Sequence, residues 1–466
     1  MKISKQFFTS LIVFAVLGAG AVFLSLFFPQ NPGEQQTEVT LSDRAQNAFA
    51  SAEVTNTQGS YSVLQEDGTY QCEQLAGLPL SQEAFDELAR ECTSLSAIGP
   101  LVQDPEKPVD YGFDHPLARV QASYSDGGGI LIEVGSQLIG SDQYYIRVNG
   151  GSSVYRIDRA SIAYLLSDIS SYLDLSLSPV DGEANALPTT IQLTRGEQTL
   201  RLDRLPYTQT DGMGLRYNYR LVGDRPAYVD PDAFNTYFDD LASLKASGVA
   251  ILYPSNFELQ QYGLADTDRY ATLSFAMLGR QVTLRIGLCA DDFYYIYREG
   301  VPAIYRLAAD DAHWTGVSWY ALMSRYLMAP TAESLRQIQI DADGKTYLFD
   351  LTGSRIRLND QYLSNETFGQ FYQLLCSVRA EYQMEEPLQN IPPEMTVTFV
   401  FDQPAAQPQG DQYYRTEIVR FIPYGIKRHA IEIDGVAEYA VRSNYLAQVL
   451  TVLPNLQDGD SIDPNW

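Results

Sequence analysis

Apolar and polar residues alternate along most of the chain, as in strands that cover a core with one face. In the first third, residues 119–124, 130–134, 144–148 and 154–157 keep this two-residue period. The pair Asp126-Gly127, between the first two of these runs, is typical of a tight hairpin turn. The pattern therefore predicts antiparallel sheets built from successive hairpins.

Three segments change from the strand period to a helical one. In each, the apolar residues recur at i, i+3, i+4, i+7 and i+10, which places them on one helical face. The three sets are Phe85, Leu88, Ala89, Cys92, Leu95; Phe234, Tyr237, Phe238, Leu241, Leu244; and Phe368, Phe371, Tyr372, Leu375, Val378. Ser81, Asp230 and Ser364 precede these sets, and their side-chain oxygens can cap the first helical turn. We therefore expect three amphipathic helices.

The combination of strands and helix repeats at an offset of roughly 150 residues. Several short segments match in the same order along the chain, which chance does not explain. The matched pairs are Tyr111-Gly112 with Tyr262-Gly263, residues 130–135 with 282–287, Tyr144-Tyr145 with Tyr294-Tyr295, and residues 154–157 with 304–307. A weaker third copy places Gly435-Val436 and residues 439–441 at the corresponding positions.

Each copy is predicted to run βββ-α-ββββ-α, and the closing helices are expected at 160–169, 314–327 and 445–453. The predicted fold class is α+β, with three tandem repeat modules of antiparallel sheet plus helix. We place the modules at residues 51–180, 187–330 and 334–455, and an acidic tail at 456–466.

An uncharged apolar run at residues 7–28 precedes the modules. As a helix it spans about 33 Å, enough to cross a hydrocarbon core of about 30 Å. Lys2 and Lys5, in the tail 1–6, predict a cytoplasmic N-terminus, with the linker 29–50 and the modules outside. The alternative is a signal peptide cleaved near residues 19–21, but the apolar run continues beyond that point. We therefore expect a single-pass protein held in the bilayer by 7–28.

Charge excludes one class of partner. The 466-residue chain has 58 Asp and Glu against 32 Lys and Arg, a formal net charge of -26. Because such a chain repels phosphate backbones, a nucleic-acid partner is not expected. With 45% hydrophobic and 19% charged residues, the composition is otherwise that of a folded protein.

Four cysteines and three histidines leave few candidates for metal or redox chemistry. Cys72 and Cys92 lie in the first module, where an extracytoplasmic setting permits a disulfide between them. The alternative is two buried free thiols, and both possibilities stay open. His115, His313 and His429 do not align between the repeats. We therefore predict no catalytic residues, no cofactor and no metal.

Paired acidic and tyrosine residues are the remaining candidates for a site. The acidic pairs Asp239-Asp240, Asp291-Asp292, Asp310-Asp311 and Glu385-Glu386 could act as acids and bases, but their scatter favours solvated turns. Tyr144-Tyr145, Tyr294-Tyr295 and Tyr413-Tyr414 place one ring on each face of a strand. Exposed rings there could contact sugars or a protein, whereas buried rings would only pack the core.

The motif Tyr111-Gly112-Phe113-Asp114-His115-Pro116 is followed by Gly135, Tyr144-Tyr145 and Val154-Tyr155-Arg156-Ile157. This arrangement resembles a bacterial family called domain of unknown function 4340. The second copy keeps Tyr262-Gly263-Leu264 without the proline, and the third has Ile391-Pro392-Pro393 in its place. The resemblance implies an N-terminal anchor, an extracytoplasmic body and a gliding-motility-type ABC transporter permease as partner. It supplies no catalytic residues.

These observations lead to one favoured hypothesis and two alternatives. The favoured one is a non-enzymatic, membrane-anchored extracytoplasmic accessory or scaffold protein, associated with an ABC transporter complex. The first alternative is a protein that binds a cell-envelope glycan or small ligand at tyrosine-rich sheet faces or module junctions. The second is an enzyme with dispersed catalytic residues.

Overall fold

The computed structural model describes residues 37–105, 107–178, 187–223, 226–265, 269–275, 279–409, 412–458, 462–463 and 466. Within these residues, no helix combines the length and the apolar character needed to cross a membrane. The predicted tail with Lys2 and Lys5, the predicted anchor 7–28 and the start of the linker lie outside the described residues.

The first module is a nine-stranded sheet in which every neighbouring pair of strands is antiparallel. Its strand order is β1-β5-β9-β8-β7-β6-β2-β3-β4. The strands are β1 Glu38–Asp43, β2 Phe49–Asn56, β3 Gly59–Glu66, β4 Thr69–Gln71, β5 Ser94–Gln103, β6 Ala118–Tyr124, β7 Gly129–Gln137, β8 Gln143–Val148 and β9 Ser153–Asp158.

The second module is also a nine-stranded sheet, in the order β13-β12-β11-β10-β15-β16-β17-β18-β14. Its strands are β10 Thr190–Arg195, β11 Gln198–Thr210, β12 Arg216–Val222, β13 Ala227–Tyr228, β14 Gly248–Leu252, β15 Arg269–Phe275, β16 Arg280–Ala290, β17 Phe293–Arg298 and β18 Ala303–Ala308.

The third module repeats this arrangement in the order β22-β21-β20-β19-β24-β25-β26-β27-β23. Its strands are β19 Leu335–Ala342, β20 Lys345–Asp350, β21 Arg357–Leu358, β22 Gln361–Tyr362, β23 Tyr382–Gln383, β24 Met395–Gln409, β25 Gln412–Pro423, β26 Arg428–Ile433 and β27 Val436–Arg442.

The second and third sheets share one nine-strand order, and the first shares eight of these strands, from β5 to β4, with β1 added beyond β5; this confirms the predicted repeat. In each, the strand that opens the module pairs with the first strand of the meander that follows the helix, as β2 does with β6 and β19 with β24. The predicted order omitted two strands per sheet. One is an outer edge strand: β1, which lies in the predicted linker 29–50, β13 or β22. The other directly follows the main helix, namely β5, β14 or β23. The omission arose because these strands are short or contain Gly and Pro, so they carry little alternating pattern.

The three main helices begin where the sequence predicts. They are α1 Gln82–Thr93, α2 Pro231–Phe238 and α5 Asn365–Cys376. Ser81 accepts a hydrogen bond from the amide of Ala84, and Ser364 accepts one from the amide of Thr367. Asp230 accepts two, from residues 232 and 233. Each helix therefore has a side-chain cap for amides that lack an intrahelical partner.

Of the predicted closing helices, only the third forms as expected, as α6 Ser443–Val452. In the first module, 160–169 contains the end of a short 3₁₀ turn at Arg159–Ser161 and the start of another at Ile169–Tyr172. In the second, a 3₁₀ segment at Ala309–Gly316 precedes the short helix α4 Trp319–Leu322. Ser161, Ser167 and Gly316 have weak helical preferences, and Asp168 and Ser318 cap new turns, so one long helix is not maintained. One further short helix, α3 Asn256–Gln261, precedes β15.

The main helices cover one face of each sheet through their apolar stripes. Phe85 is fully buried and stacks on Tyr172, with ring centroids 4.7 Å apart. Phe234 stacks on Tyr219 at 4.2 Å, and Phe371 on Phe349 at 5.3 Å. Aromatic pairs of this kind bury large areas, so the helical phenylalanines anchor each module core.

Residue contacts divide the chain into two compact units. Among the described residues, the first unit comprises 37–175 with Gly248–Tyr253 and Val301–Ala303. The second comprises Ser176–Ser247, Pro254–Gly300 and Ile304–Trp466, which includes most of the second module and the whole third module.

Candidate functional site

The Tyr-Gly motif of the first module has a structural role: it packs the chain before β6 against the sheet. A Cβ atom at Gly135 would overlap the main-chain oxygen of Tyr111. The pairing of β7 with β8 shifts register between Val134 and Gln137, so Gly135 lies in a bulge. The ring of Tyr111 meets that of Tyr145 edge-on, with centroids 5.0 Å apart. The motif thus holds the segment before β6 against the bulge.

The second module repeats this contact with the matching residues. A Cβ at Gly287 would overlap the carbonyl oxygen of Tyr262, and Leu288 donates its amide to that oxygen at 2.9 Å. The rings of Tyr262 and Tyr295 lie 4.4 Å apart. In both copies the motif residues pack against one another. The motif therefore recurs because the fold requires this packing, and a functional site must be sought elsewhere.

Cys72 and Cys92 are free thiols in the structure, and both are buried. Burial raises the pKa of each thiol, most strongly for the fully enclosed Cys92. Burial also raises the pKa of the matching helix residue Cys376, to about 12. A thiol held in its neutral form is a poor nucleophile, so these three cysteines have the character of core residues.

Two predicted acidic pairs converge in the second module. Asp239, Asp240, Asp310 and Asp311 line a cavity of about 330 Å³ together with His313. The ring nitrogens of His313 lie 2.7 Å from the carbonyl oxygen of Asp310 and 2.8 Å from that of Thr236. The histidine therefore links α2 to the 3₁₀ segment that follows β18. By contrast, Asp291 and Asp292 form the tight turn between β16 and β17, each with positive φ.

The other histidines are separate from this cavity. His115 is 95% exposed, and its nearest charged group is Asp114 at 4.0 Å. His429 is buried, with Nε2 2.9 Å from Glu394 and Nδ1 3.1 Å from the Ser443 hydroxyl. No sequence pattern marks this Ser–His–Glu chain, because its members come from three separated segments.

The largest described cavity lies within the second compact unit, between the second and third modules, and measures about 1680 Å³. We call it the junction cleft. One wall is α4 of the second module, with Trp319 and Tyr320, and Gly223. The other comes from the third module: β23, the segment 384–391, residues 423–425 and the strand β27. A second cavity of about 690 Å³ shares Trp319, Glu438 and Tyr439 with it.

Main-chain and aromatic contacts hold the two walls together. Ala380 donates its amide to the carbonyl oxygen of Arg325 at 2.8 Å, and its own carbonyl accepts from Tyr320 at 3.2 Å. Tyr320 stacks on Tyr439 with centroids 5.6 Å apart and an interplanar angle of 15°. The guanidinium of Arg325 covers the ring of Tyr320 at 3.6 Å. This stack of Arg325, Tyr320 and Tyr439 fixes the second module against the third.

Five aromatic side chains line the junction cleft, all half-buried: Trp319, Tyr320, Tyr382, Tyr424 and Tyr439. Tyr382 carries the guanidinium of Arg428 at 3.9 Å over its ring. The Tyr424 hydroxyl accepts hydrogen bonds from the amides of Glu385 and Glu386, at 3.2 and 3.1 Å. These contacts hold Tyr382 and Tyr424 in place, so this part of the cleft is preorganised.

Acidic groups dominate the charge of the junction cleft. Its lining includes Glu381, Glu385, Glu386 and Glu438 against the single cation Arg428. Glu381 forms an ion pair with Arg442 at 2.6 Å, so its charge is compensated locally. Glu385 and Glu386 are exposed at the rim. The predicted pair Glu385-Glu386 therefore belongs to the cleft, whereas the other acidic pairs do not.

The predicted tyrosine pairs do not line this cleft. Tyr144 is buried and packs in the first core, while Tyr413 and Tyr414 are 64% and 38% exposed on the long β24–β25 hairpin. The cleft tyrosines are single residues on different elements, and the sequence pattern does not mark them. Their one detectable signal is the high tyrosine content, 32 residues in the chain.

A family model described as Domain of unknown function (DUF4340) matches residues 72–257 and 220–385, which together cover more than half of the chain. No curated protein is significantly similar to the chain, and no solved structure matches it.

Proposed function

The chain belongs to this family of unknown function, and from that premise we propose that it is a non-enzymatic, membrane-anchored extracytoplasmic accessory protein. In this proposal, residues 7–28 hold it in the cell membrane, and its modules assemble with a membrane partner, an ABC transporter permease. The observation that carries the proposal is one sheet-and-helix module formed three times, so that each copy adds a sheet surface of the same kind. Repeated modules commonly provide such binding surfaces.

Anchoring is tested on the full chain in its own membrane. Carbonate extraction should leave the protein in the membrane pellet, and protease added outside the cell should digest the modules. The reason is the uncharged run at 7–28, long enough to span a bilayer, with Lys2 and Lys5 before it. Release of a shortened chain into the supernatant would instead identify a cleaved signal peptide.

Assembly is tested by affinity purification of the tagged full chain from detergent-solubilised membranes. We expect transporter permease subunits to be recovered above the level of an untagged control. A matched chain, in which an unrelated apolar segment replaces 7–28, separates contacts of the anchor from contacts of the modules. Recovery of the tagged chain alone, both with and without prior crosslinking in cells, would contradict the proposal.

The non-enzymatic part of the proposal has a direct chemical test at Ser443. Its hydroxyl bonds to Nδ1 of His429, and Nε2 of His429 bonds to Glu394. This is the order of groups in a serine hydrolase, with the two ring nitrogens exchanged. The linings of the junction cleft and of the two smaller cavities described above do not include Ser443 or His429. We therefore predict that a fluorophosphonate leaves the mass of the intact protein unchanged. Covalent labelling that is lost in Ser443→Ala would establish a nucleophile and overturn this part.

The junction cleft favours a second candidate function, the recognition of a ligand between the second and third modules. Its aromatic and polar lining is typical of sites that bind extended ligands. This function is compatible with an accessory role, because a transporter subunit can present a binding site to its partner.

A further inference from the structure

We infer that the junction cleft binds an oligosaccharide chain that carries no negative charge. The inference rests on the ligand-recognition part of the proposed function and gives the chemical class of the ligand. Four properties of the cleft support it: size, aromatic lining, hydrogen-bonding groups and charge.

The size of the cleft suits an extended ligand. At about 1680 Å³ it exceeds the roughly 300–1,000 Å³ usual for sites that enclose a single small molecule. The second cavity, of about 690 Å³, lies beside it and shares Trp319, Glu438 and Tyr439 with it. A chain of several sugar rings can follow such a groove, whereas one metabolite would fill only a part of it.

The aromatic lining suits sugar rings. The carbon-bound hydrogens on one face of a pyranose pack against an aromatic face, which removes apolar surface from water on both sides. Trp319 has the largest ring in the cleft, and its outer edge lies on Gly223. A Cβ at Gly223 would be 3.2 Å and 3.3 Å from two atoms of that ring. Gly223 thus acts as a positioning residue, because its lack of a side chain leaves room for the edge of the Trp319 ring.

Polar groups at the rim suit hydroxyl groups. The carboxylates of Glu385 and Glu386 can accept hydrogen bonds, and the amides of Gln383 and Gln389 can both donate and accept. The Tyr424 hydroxyl fixes the backbone that carries the two glutamates, so less conformational entropy is lost when a ligand binds. Paired donors and acceptors around aromatic faces distinguish this cleft from a purely apolar docking groove.

Charge selects among the possible glycans. Four glutamates line the cleft against one arginine, Arg428, which covers Tyr382. Arg442 compensates Glu381, and the three remaining glutamates still leave the lining acidic. The whole chain carries a formal charge of -26. An anionic polymer, such as one rich in uronate or phosphate, would be repelled by both. Uncharged polysaccharide segments satisfy the aromatic and hydrogen-bonding groups without this repulsion.

The test uses the full chain in detergent and titrates it with three hexasaccharides. Two are uncharged, β-1,4-linked glucose and β-1,4-linked N-acetylglucosamine, and one is the anionic galacturonate hexamer. We expect at least one uncharged hexamer to bind saturably by calorimetry, and the anionic hexamer to bind at least about 10-fold more weakly at low ionic strength. Failure of both uncharged hexamers to bind at millimolar concentration would overturn the inference, as would tighter binding of the anionic one.

Variants locate the binding within the cleft. Trp319→Ala and Tyr439→Ala should each weaken binding about 10-fold or more, and Trp319→Phe should retain part of the affinity. Gly223→Ala should weaken binding by displacing Trp319, without removing any lining ring. The control is Tyr362→Ala, which removes a ring that is 58% exposed outside the cleft lining. Equal affinity in Trp319→Ala, Tyr439→Ala and the control would place the binding elsewhere and overturn the inference.

The inference and the proposed assembly can fail separately. Each variant is also used in the affinity purification, after its urea unfolding midpoint has been compared with that of the natural chain. Recovery of the transporter without glycan binding removes only the glycan inference. Saturable binding that is lost in Trp319→Ala, without recovery of a transporter, removes only the assembly.

Discussion

Gly135 and Gly287 leave room for a main-chain oxygen that any side chain would displace. In both modules the oxygen belongs to the tyrosine of the Tyr-Gly motif, and the glycine lies at a bulge in the sheet. At the scale of single residues, the family motif is therefore explained by close approach of two backbones. Glycine is the residue that permits such an approach.

Gly135→Ala should lower the free energy of unfolding by about 1–3 kcal/mol, because the new methyl group must push the Tyr111 carbonyl away. Gly287→Ala should have a similar effect in the second module. The control is Gly369→Ala in α5, where a Cβ would meet no atom within 4 Å and alanine favours the helix. Urea unfolding measures all three, and equal stability of Gly135→Ala and the natural chain would refute the packing argument.

Glu91 is a buried carboxyl group of α1 that accepts hydrogen bonds from the amides of Tyr164 and Leu165. Burial raises its pKa to about 7, although these hydrogen bonds oppose the shift. The folded state therefore binds a proton more tightly than the unfolded state between about pH 4.5 and pH 7. The stability contributed by this proton is present below the unfolded pKa and is lost as the pH rises through about 7.

Glu91→Gln should remove this pH dependence. Between about pH 5 and about pH 8, the free energy of unfolding of the natural chain should fall relative to that of the variant by an amount on the order of 3 kcal/mol. Urea unfolding at the two pH values provides the measurement, and the difference between the chains cancels the titration of other groups. A constant difference at both pH values would contradict the shifted pKa.

At the scale of elements, each main helix combines a cap with an apolar stripe. Ser81, Asp230 and Ser364 all accept amide hydrogen bonds, and Phe85, Phe234 and Phe368 are buried four residues later. These features are local in sequence, which explains why the starts of the three helices were predicted. The closing helices depend on how the chain leaves each sheet, and only α6 formed as one continuous helix.

Removal of a cap should weaken its module by a modest, similar amount. Ser81→Ala, Asp230→Ala and Ser364→Ala should each lower the free energy of unfolding by about 1 kcal/mol, because amides of the first turn lose their acceptor. Ser354→Ala, at an exposed bend outside any helix, should change stability by less than about 0.5 kcal/mol. If the cap variants lose no more free energy of unfolding than Ser354→Ala does in urea, the assignment of these residues as helix caps is contradicted.

At the scale of the whole molecule, three modules repeat one order of eight strands, and the acidic charge is spread over all of them. The net charge of -26 adds self-repulsion to the folded state. The surface ion pairs, such as Arg44 with Asp126, are exposed and contribute little each. Long-range repulsion should therefore outweigh the local pairs in the response to salt.

The melting temperature should consequently rise when NaCl is increased from about 10 mM to about 100 mM, since the screening length falls from about 30 Å to about 10 Å. Differential scanning fluorimetry is sufficient for the measurement. Glu385→Gln combined with Glu386→Gln should reduce the response slightly, because two exposed charges are removed. A melting temperature that falls with salt would mean that attractive ion pairs dominate.

The sequence alone determined the repeat, the antiparallel strands, the three capped helices and the family motif, because each depends on a local period or on neighbouring residues. Tertiary structure decided the rest. The strand after each helix pairs with strands that come later in the chain, as β5 does with β9, so its place is fixed by long-range hydrogen bonds. The junction cleft collects Trp319, Tyr382, Tyr424 and Tyr439 from separate elements. No sequence period marks them, because only the packing of the second module against the third brings them together.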